Sequence, residues 1–155
     1  VSHAFVVVSA TECVEAHWPA VGVAPLKKYL EDRRTVTVFR RPRGLTSDLA
    51  GRIASAALKR VGDKYNVGLI AAQLLANTFV GHYLNRWFNG RPDAWMSARL
   101  DRKNEFICSE LAASALNAQP EFRGKGILGL PLNTISPQEL FEDQVIFEAR
   151  EAIER

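Results

Sequence analysis

The sequence predicts an α+β domain built on an antiparallel sheet packed against helices, and three observations carry that prediction. Strand-like runs stand at both ends of the chain, helical patterns fill its middle, and turn residues separate them. At 155 residues, 47% of them apolar and 24% charged, the chain suits a single domain over 1–155 with a sizeable core.

The elements follow in order. "HAFVVV" (His3 to Val8) is a β-branched, aromatic strand, and "ECVEAHW" (Glu12 to Trp18) is a second with alternating polarity. The short "SAT" between them predicts a hairpin. "PLKKYLEDR" reads as a short helix with Pro25 at its start, and "RTVTVFRR" as a third strand. "TSDLAGRIASAALKRVG" is a helix capped by Thr46 or Ser47 and stopped by Gly62. After "DKYNVG" comes an apolar helix from Leu69 to about Leu84, then a loop, "RWFNGRPDAW". The charged "RKNE" gives way to a short apolar run and a helix at Cys108. "TISPQELFED" opens the last helix, with Ser136 as cap, Pro137 in the first turn and Glu139 completing a capping box. "QVIFEAR" is expected to close as a strand.

Composition excludes several classes. A net charge of +3 is too small to argue for nucleic acid, and the basic runs Lys27-Lys28, Arg33-Arg34 and Arg40-Arg41-Pro42-Arg43 read as a solvated face. Two cysteines, Cys13 and Cys108, make no disulfide framework. The helix at 69–84 is broken by Gln73, Asn77, Thr78 and His82, so a buried core helix is expected and no transmembrane segment. The first residues read as a strand, so no signal peptide is expected and the cytoplasm is the default compartment; a processed, exported product is the other reading. Oligomeric state is left open, and no cofactor is expected.

Two tempting motifs are set aside. Gly124-Lys125-Gly126-Ile127-Leu128-Gly129 matches G-x-G-x-x-G, but Pro131 follows and no helix begins, so it reads as a loop. Cys13, Glu15 and His17 share one strand face near His3, yet three consecutive same-face positions close poorly around a tetrahedral ion, so no metal is expected.

Cys108 is the more telling position. A cysteine at a helix N-terminus sits beside unsatisfied N–H groups and the positive end of the helix dipole, which favour the thiolate. If the loop Ser9-Ala10-Thr11 counts three residues, His3 pairs opposite His17 and Glu15 lies one diagonal step away on the same face. A carboxylate beside an imidazole fixes its tautomer and stabilises the imidazolium. As a strand residue, Glu15 is expected to be partly exposed.

These pieces together resemble a known family. "SHAFVVVSATECVEA" resembles the histidine segment of NlpC-type cysteine amidases, in which Ser-His starts a strand and a second polar residue follows on the next. The order of histidine first and "FICSEL" later is similar to the circularly permuted, YiiX/YaeF-like branch of papain-like amidases. "GDKYN" and "TISPQELFED" fit the same branch. The family's further strand, often opening Gly-Asp, and its helix ahead of the Ser-His have no counterpart in these residues, which leaves one wall of the cleft unread.

The resemblance implies a permuted papain-like fold with Cys108 as nucleophile, His3 as general base and then acid, and Glu15 orienting His3. It also implies the Cys108 N–H as an oxyanion donor and Tyr65 as a substrate-binding hydroxyl near the cleft. The expected function is a thiol-dependent hydrolase, a cysteine amidase or peptidase, acting on a small peptide, peptidoglycan-type or acyl-amide substrate through an acyl-enzyme. The rivals are a lipid acyltransferase or lipid hydrolase using the same Cys-His site, supported by the apolar helix with Trp87 and Phe88, and a binding module with a vestigial site.

Overall fold

The computed structural model describes residues 3–32, 36–65, 105–106 and 108–149 of the chain. The apolar helix expected at 69–84 and the loop holding Trp87 and Phe88 lie outside the described residues.

The first hairpin forms as the alternation dictates. Strand β1 (Phe5–Val7) pairs antiparallel with β2 (Glu12–His17), and Phe5 stands opposite Glu15. The Val8 N–H donates to the Glu12 carbonyl at 3.0 Å, closing the turn over Ser9-Ala10-Thr11. This is the odd-numbered loop, and its pairing puts Phe5, the residue two after His3, opposite Glu15.

Beyond β2 the structure departs from the sequence reading. Ala20–Pro25 is a third strand, β3, paired along its whole length with β2 from His17↔Ala20 to Glu12↔Pro25. Pro25 therefore ends a strand rather than opening a helix. Helix α1 is only Lys27–Leu30, held back over the hairpin by a bond from the Leu26 N–H to the Thr11 carbonyl. Ala20, Gly22 and Ala24, interleaved with Val21 and Val23, hid the strand, because Ala and Gly weaken the alternation.

The sheet runs β1-β2-β3-β4-β5, where β4 is Lys64–Tyr65 and β5 is Glu105–Phe106. The last pair is parallel, so the sheet is mixed rather than wholly antiparallel. Two expected strands fail. Residues 36–41 form no strand, and the closing segment contributes only an isolated bridge, Pro42↔Phe147. Proline lacks the N–H that would extend such a ladder.

Helices cover one face. Helix α2 (Ser47–Leu58) is capped by Thr46, whose hydroxyl accepts from the Leu49 N–H at 3.2 Å. Its buried Leu49, Ile53 and Ala57 recur every fourth residue and pack on α3 (Cys108–Asn117). Gly62, at φ 95°, makes the turn that leads into β4. Ala112, Ala113 and Ala115 let α3 lie close to its neighbours, and the helix touches both β1 and β2. The motif glycines form a short 3-10 turn, Gly126–Gly129. Helix α4 (Pro137–Glu142) carries the expected capping box, with the Glu139 N–H on Ser136 Oγ at 3.2 Å and the Ser136 N–H on Glu139 Oε2 at 2.9 Å.

One apolar cluster joins Val14, Ala16 and Val21 of the sheet to Leu49, Leu111, Ile135, Leu140 and Ile146. The chain is thus a mixed α+β fold. Among the described residues, no helix is long and apolar enough to cross a membrane. The basic run at 40–43 does more than face solvent. Arg40 donates to the carbonyls of Phe141, Asp143 and Glu148, and Arg43 to that of Gln144, tying the segment to the chain's end.

Candidate active site

Three residues far apart in sequence meet where the start of α3 abuts the sheet. His3 precedes β1, Glu15 lies in the middle of β2, and Cys108 is the first residue of α3. The His3 Nε2 is 2.9 Å from Glu15 Oε2. The ring also shares a hydrogen bond with the Cys108 sulfur, which raises His3 and lowers Cys108. Two backbone N–H groups, from Ala4 and Ser109, also point at the sulfur.

Local sequence accounts for each placement. The three-residue turn brings His3 and Glu15 onto one face of the hairpin, and the diagonal step lets a ring reach a long carboxylate. Cys108 is fixed because the next residue is an anchor: Ser109, fully buried, donates its hydroxyl to the Ile135 carbonyl at 2.6 Å. That bond ties the helix's first turn to the segment before α4. Glu110 follows in the same turn, where a negative charge suits the helix dipole.

Glu15 departs from expectation. It is 5% exposed rather than partly exposed, and it carries two partners besides His3. Tyr29 donates its hydroxyl to Oε2 and Lys28 its ammonium to Oε1, the latter at 3.0 Å. Neither residue was foreseen. The signal was the third strand: once Pro25 pairs with Glu12, the chain must turn back, and α1 brings Lys28 and Tyr29 over Glu15. Tyr29 also stacks on His3 and Phe5, with ring centres 6.0 and 4.7 Å away.

The electrostatics follow from these contacts. Burial pushes the Cys108 thiol up, but the His3 hydrogen bond, the Ala4 N–H, the His3 charge and the Ser109 N–H outweigh it, and its pKa falls below the ordinary thiol value. His3 is raised above 6.5, chiefly by its bond to Cys108; burial opposes this, and the Cys108 charge and Glu15 add to the rise. Burial likewise pushes the Glu15 carboxyl up, yet bonds from Tyr29, Lys28 and His3 hold it below 4.5. Tyr29 is raised, first by burial and then by its bond to Glu15, so its hydroxyl stays a donor. The arrangement favours thiolate beside imidazolium, backed by a carboxylate.

Cys13 differs in every respect. It is fully buried, lies 3.5 Å from the Ala24 carbonyl, and has its thiol pushed up to about 11 by burial and by the nearby Glu15 charge. With Glu15 spent on His3, Tyr29 and Lys28, and His17 Nδ1 at 3.0 Å from the Trp18 carbonyl, the same-face row is otherwise engaged. Among the described residues, no group of three or more potential ligands could hold a metal ion. The side chain of Tyr65 lies outside the described residues. Its backbone pairs with Phe106, two residues before Cys108.

Alongside β1, beginning at His3 and Ala4, runs an apolar groove of about 260 Å³. Ala112, one helical turn after Cys108, contributes to its wall. Comparison of the chain with protein-family models, with curated proteins and with solved structures finds no match.

Proposed function

We propose that the chain is a thiol-dependent hydrolase of permuted papain-like, NlpC-type architecture, cleaving an amide bond in a peptide or peptidoglycan-type substrate. The observation that carries this reading is the His3 ring standing between Cys108 and Glu15, with Cys108 at the start of a helix. In this reading the Cys108 thiolate adds to the carbonyl carbon, and the oxyanion gathers N–H groups at the α3 start. The C–N bond then breaks as the His3 imidazolium gives its proton to the leaving amine. Water next adds to the thioester, His3 takes its proton, and the C–S bond breaks to release the acid and regenerate the thiolate–imidazolium pair. Glu15 keeps the ring oriented and stabilises its charged form.

The test is intact-protein mass spectrometry with an activated ester, followed by single-turnover kinetics. A single acyl adduct on Cys108 that decays in water is the expected result. Cys108→Ala should abolish it, and His3→Ala should slow its formation at least about a hundredfold, the usual reach of general acid–base help. A normal acylation rate in folded His3→Ala would overturn the mechanism, and no adduct at all would favour the binding-module reading.

A further inference from the structure

The groove beside β1 is a gap between two segments that carry strand sequence and make no hydrogen bond to each other among the described residues. Among the described residues, β1 stands at the edge of the sheet. The bond from the Val8 N–H to the Glu12 carbonyl sets which β1 residues pair inward, and the alternation leaves the N–H and C=O of Phe5 and Val7 facing away from β2, into the groove. Across the groove lie Val38 and Phe39, and Ile53 and Leu116 contribute apolar wall.

The opposite segment is informative in its own right. "VTVF" at 36–39 has the β-branched alternation of a strand, yet it forms none, and Val36, Val38 and Phe39 stand 76%, 47% and 53% exposed. Phe39 meets Phe5 edge-on at 6.3 Å and the Thr37 hydroxyl donates to the Tyr29 carbonyl, yet among the described residues the segment has no strand partner for its backbone. Arg40 fixes that segment through the Phe141, Asp143 and Glu148 carbonyls, so it is held in place.

From this geometry we infer that the groove binds an extended peptide segment with apolar alternate residues, as a strand added to β1. An aliphatic chain would match the side chains but would bury the Phe5 and Val7 backbone groups without partners, and that is costly. A peptide backbone satisfies them, while its alternate side chains enter the apolar walls. His3 and Ala4 line the groove, so a strand lying in it passes beside the ring that contacts Cys108. That this strand belongs to the substrate rests on the hydrolase reading above; that the groove takes a strand does not.

The experiment uses the full chain with Cys108→Ala, to prevent turnover. Three probes are compared: an acetylated and amidated eight-residue peptide alternating Val and Thr, the same peptide N-methylated at alternate residues in either phase, and octanoate. The readouts are affinity by titration and amide hydrogen exchange at Phe5 and Val7. The expected result is binding of the plain peptide with slowed exchange at both amides, and at least about tenfold weaker binding when the bonding phase is methylated.

Val7→Pro, tolerable where an edge N–H faces outward, should weaken the peptide about fivefold, the worth of one hydrogen bond. It should leave iodoacetamide labelling of Cys108 unchanged in the parent background. If that variant does not fold, Ala50→Trp fills the groove and should abolish peptide binding. Equal affinity of plain and both methylated peptides, or binding of octanoate alone, would overturn the proposal. So would concentration-dependent protection of the two amides in the free protein, which would make a second copy the occupant. Normal Cys108 labelling alongside any of these leaves the hydrolase reading standing.

Discussion

At the scale of single residues, the two cysteines differ only through their surroundings. Cys108 has a base and two N–H groups aimed at its sulfur, whereas Cys13 has a carboxylate nearby and no base. With its thiol at about 11, Cys13 is thiolate in roughly one molecule in ten thousand at pH 7, while a thiol below 9.0 is thiolate in more than about one in a hundred. Brief iodoacetamide treatment should therefore label Cys108 at least about a hundredfold faster, by peptide mapping. Equal labelling would remove Cys108 from its assigned role. Tyr29 yields the second prediction. Removing its hydroxyl takes one of three bonds from a buried carboxylate, so Tyr29→Phe should lower kcat/KM by about three- to tenfold, the worth of an ordinary hydrogen bond, because its loss reaches His3 only through Glu15. Glu15→Gln should cost more than Tyr29→Phe and less than His3→Ala, because an amide still holds the ring but lacks the charge. A Tyr29→Phe protein with parental kinetics would make the contact merely structural.

At the scale of elements, the anchor of α3 is Ser109. Ser109→Ala leaves the buried Ile135 carbonyl without its donor, which should cost about 1–3 kcal/mol in denaturant unfolding. Thr46→Ala, which loses the cap of α2, should cost about 1 kcal/mol. Only the first should also slow Cys108 labelling, since only it loosens the helix start that holds the sulfur. The Thr46 cap and the Ser136 box were legible in the sequence because capping is local chemistry with a fixed spacing, whereas the Ser109 bond to a carbonyl 26 residues away was not. The His3–Glu15 diagonal was legible for a similar reason: a three-residue turn determines which residues share a face. What escaped were features set by distant partners. β3 is a weakly alternating run that becomes a strand because β2 needs an edge partner. Residues 36–41 carry strong strand alternation and form no strand, because propensity cannot supply a ladder partner. Missing β3 also hid Lys28 and Tyr29, since only the pairing of Pro25 with Glu12 turns α1 back over the site.

At the scale of the whole molecule, the candidate site is a hydrogen-bonded relay of Glu15, His3 and Cys108 between sheet and helix, and its pH behaviour is governed by three shifts of different sign. Cys108 lies below 9.0, so thiolate appears at a lower pH than for a free thiol; His3 lies above 6.5, so imidazolium persists to a higher pH. Both shifts widen the pH range in which thiolate and imidazolium coexist, so alkylation should rise at a lower pH than for a free thiol. His3→Ala should move the rise toward 9.0. Stability follows the same signs. The raised His3 contributes fully below 6.5, and its contribution is lost as pH climbs through the folded value. The lowered Glu15 contributes fully above 4.5, and its contribution is lost as pH falls through its folded value. Comparing thermal midpoints of parent and Glu15→Gln across pH isolates that last group. The gap between them should be constant from about pH 5 upward until His3 deprotonates, then shrink toward zero in acid as the parent carboxyl gains its proton. The cost at neutral pH should be about 1–3 kcal/mol, as for a buried acceptor of charged hydrogen bonds, because Glu15 is buried with three partners. A gap that stays constant down to pH 3 would mean that Glu15 is held by packing alone. In that case the carboxylate could not be what keeps His3 charged, and its place in the relay would fall with it.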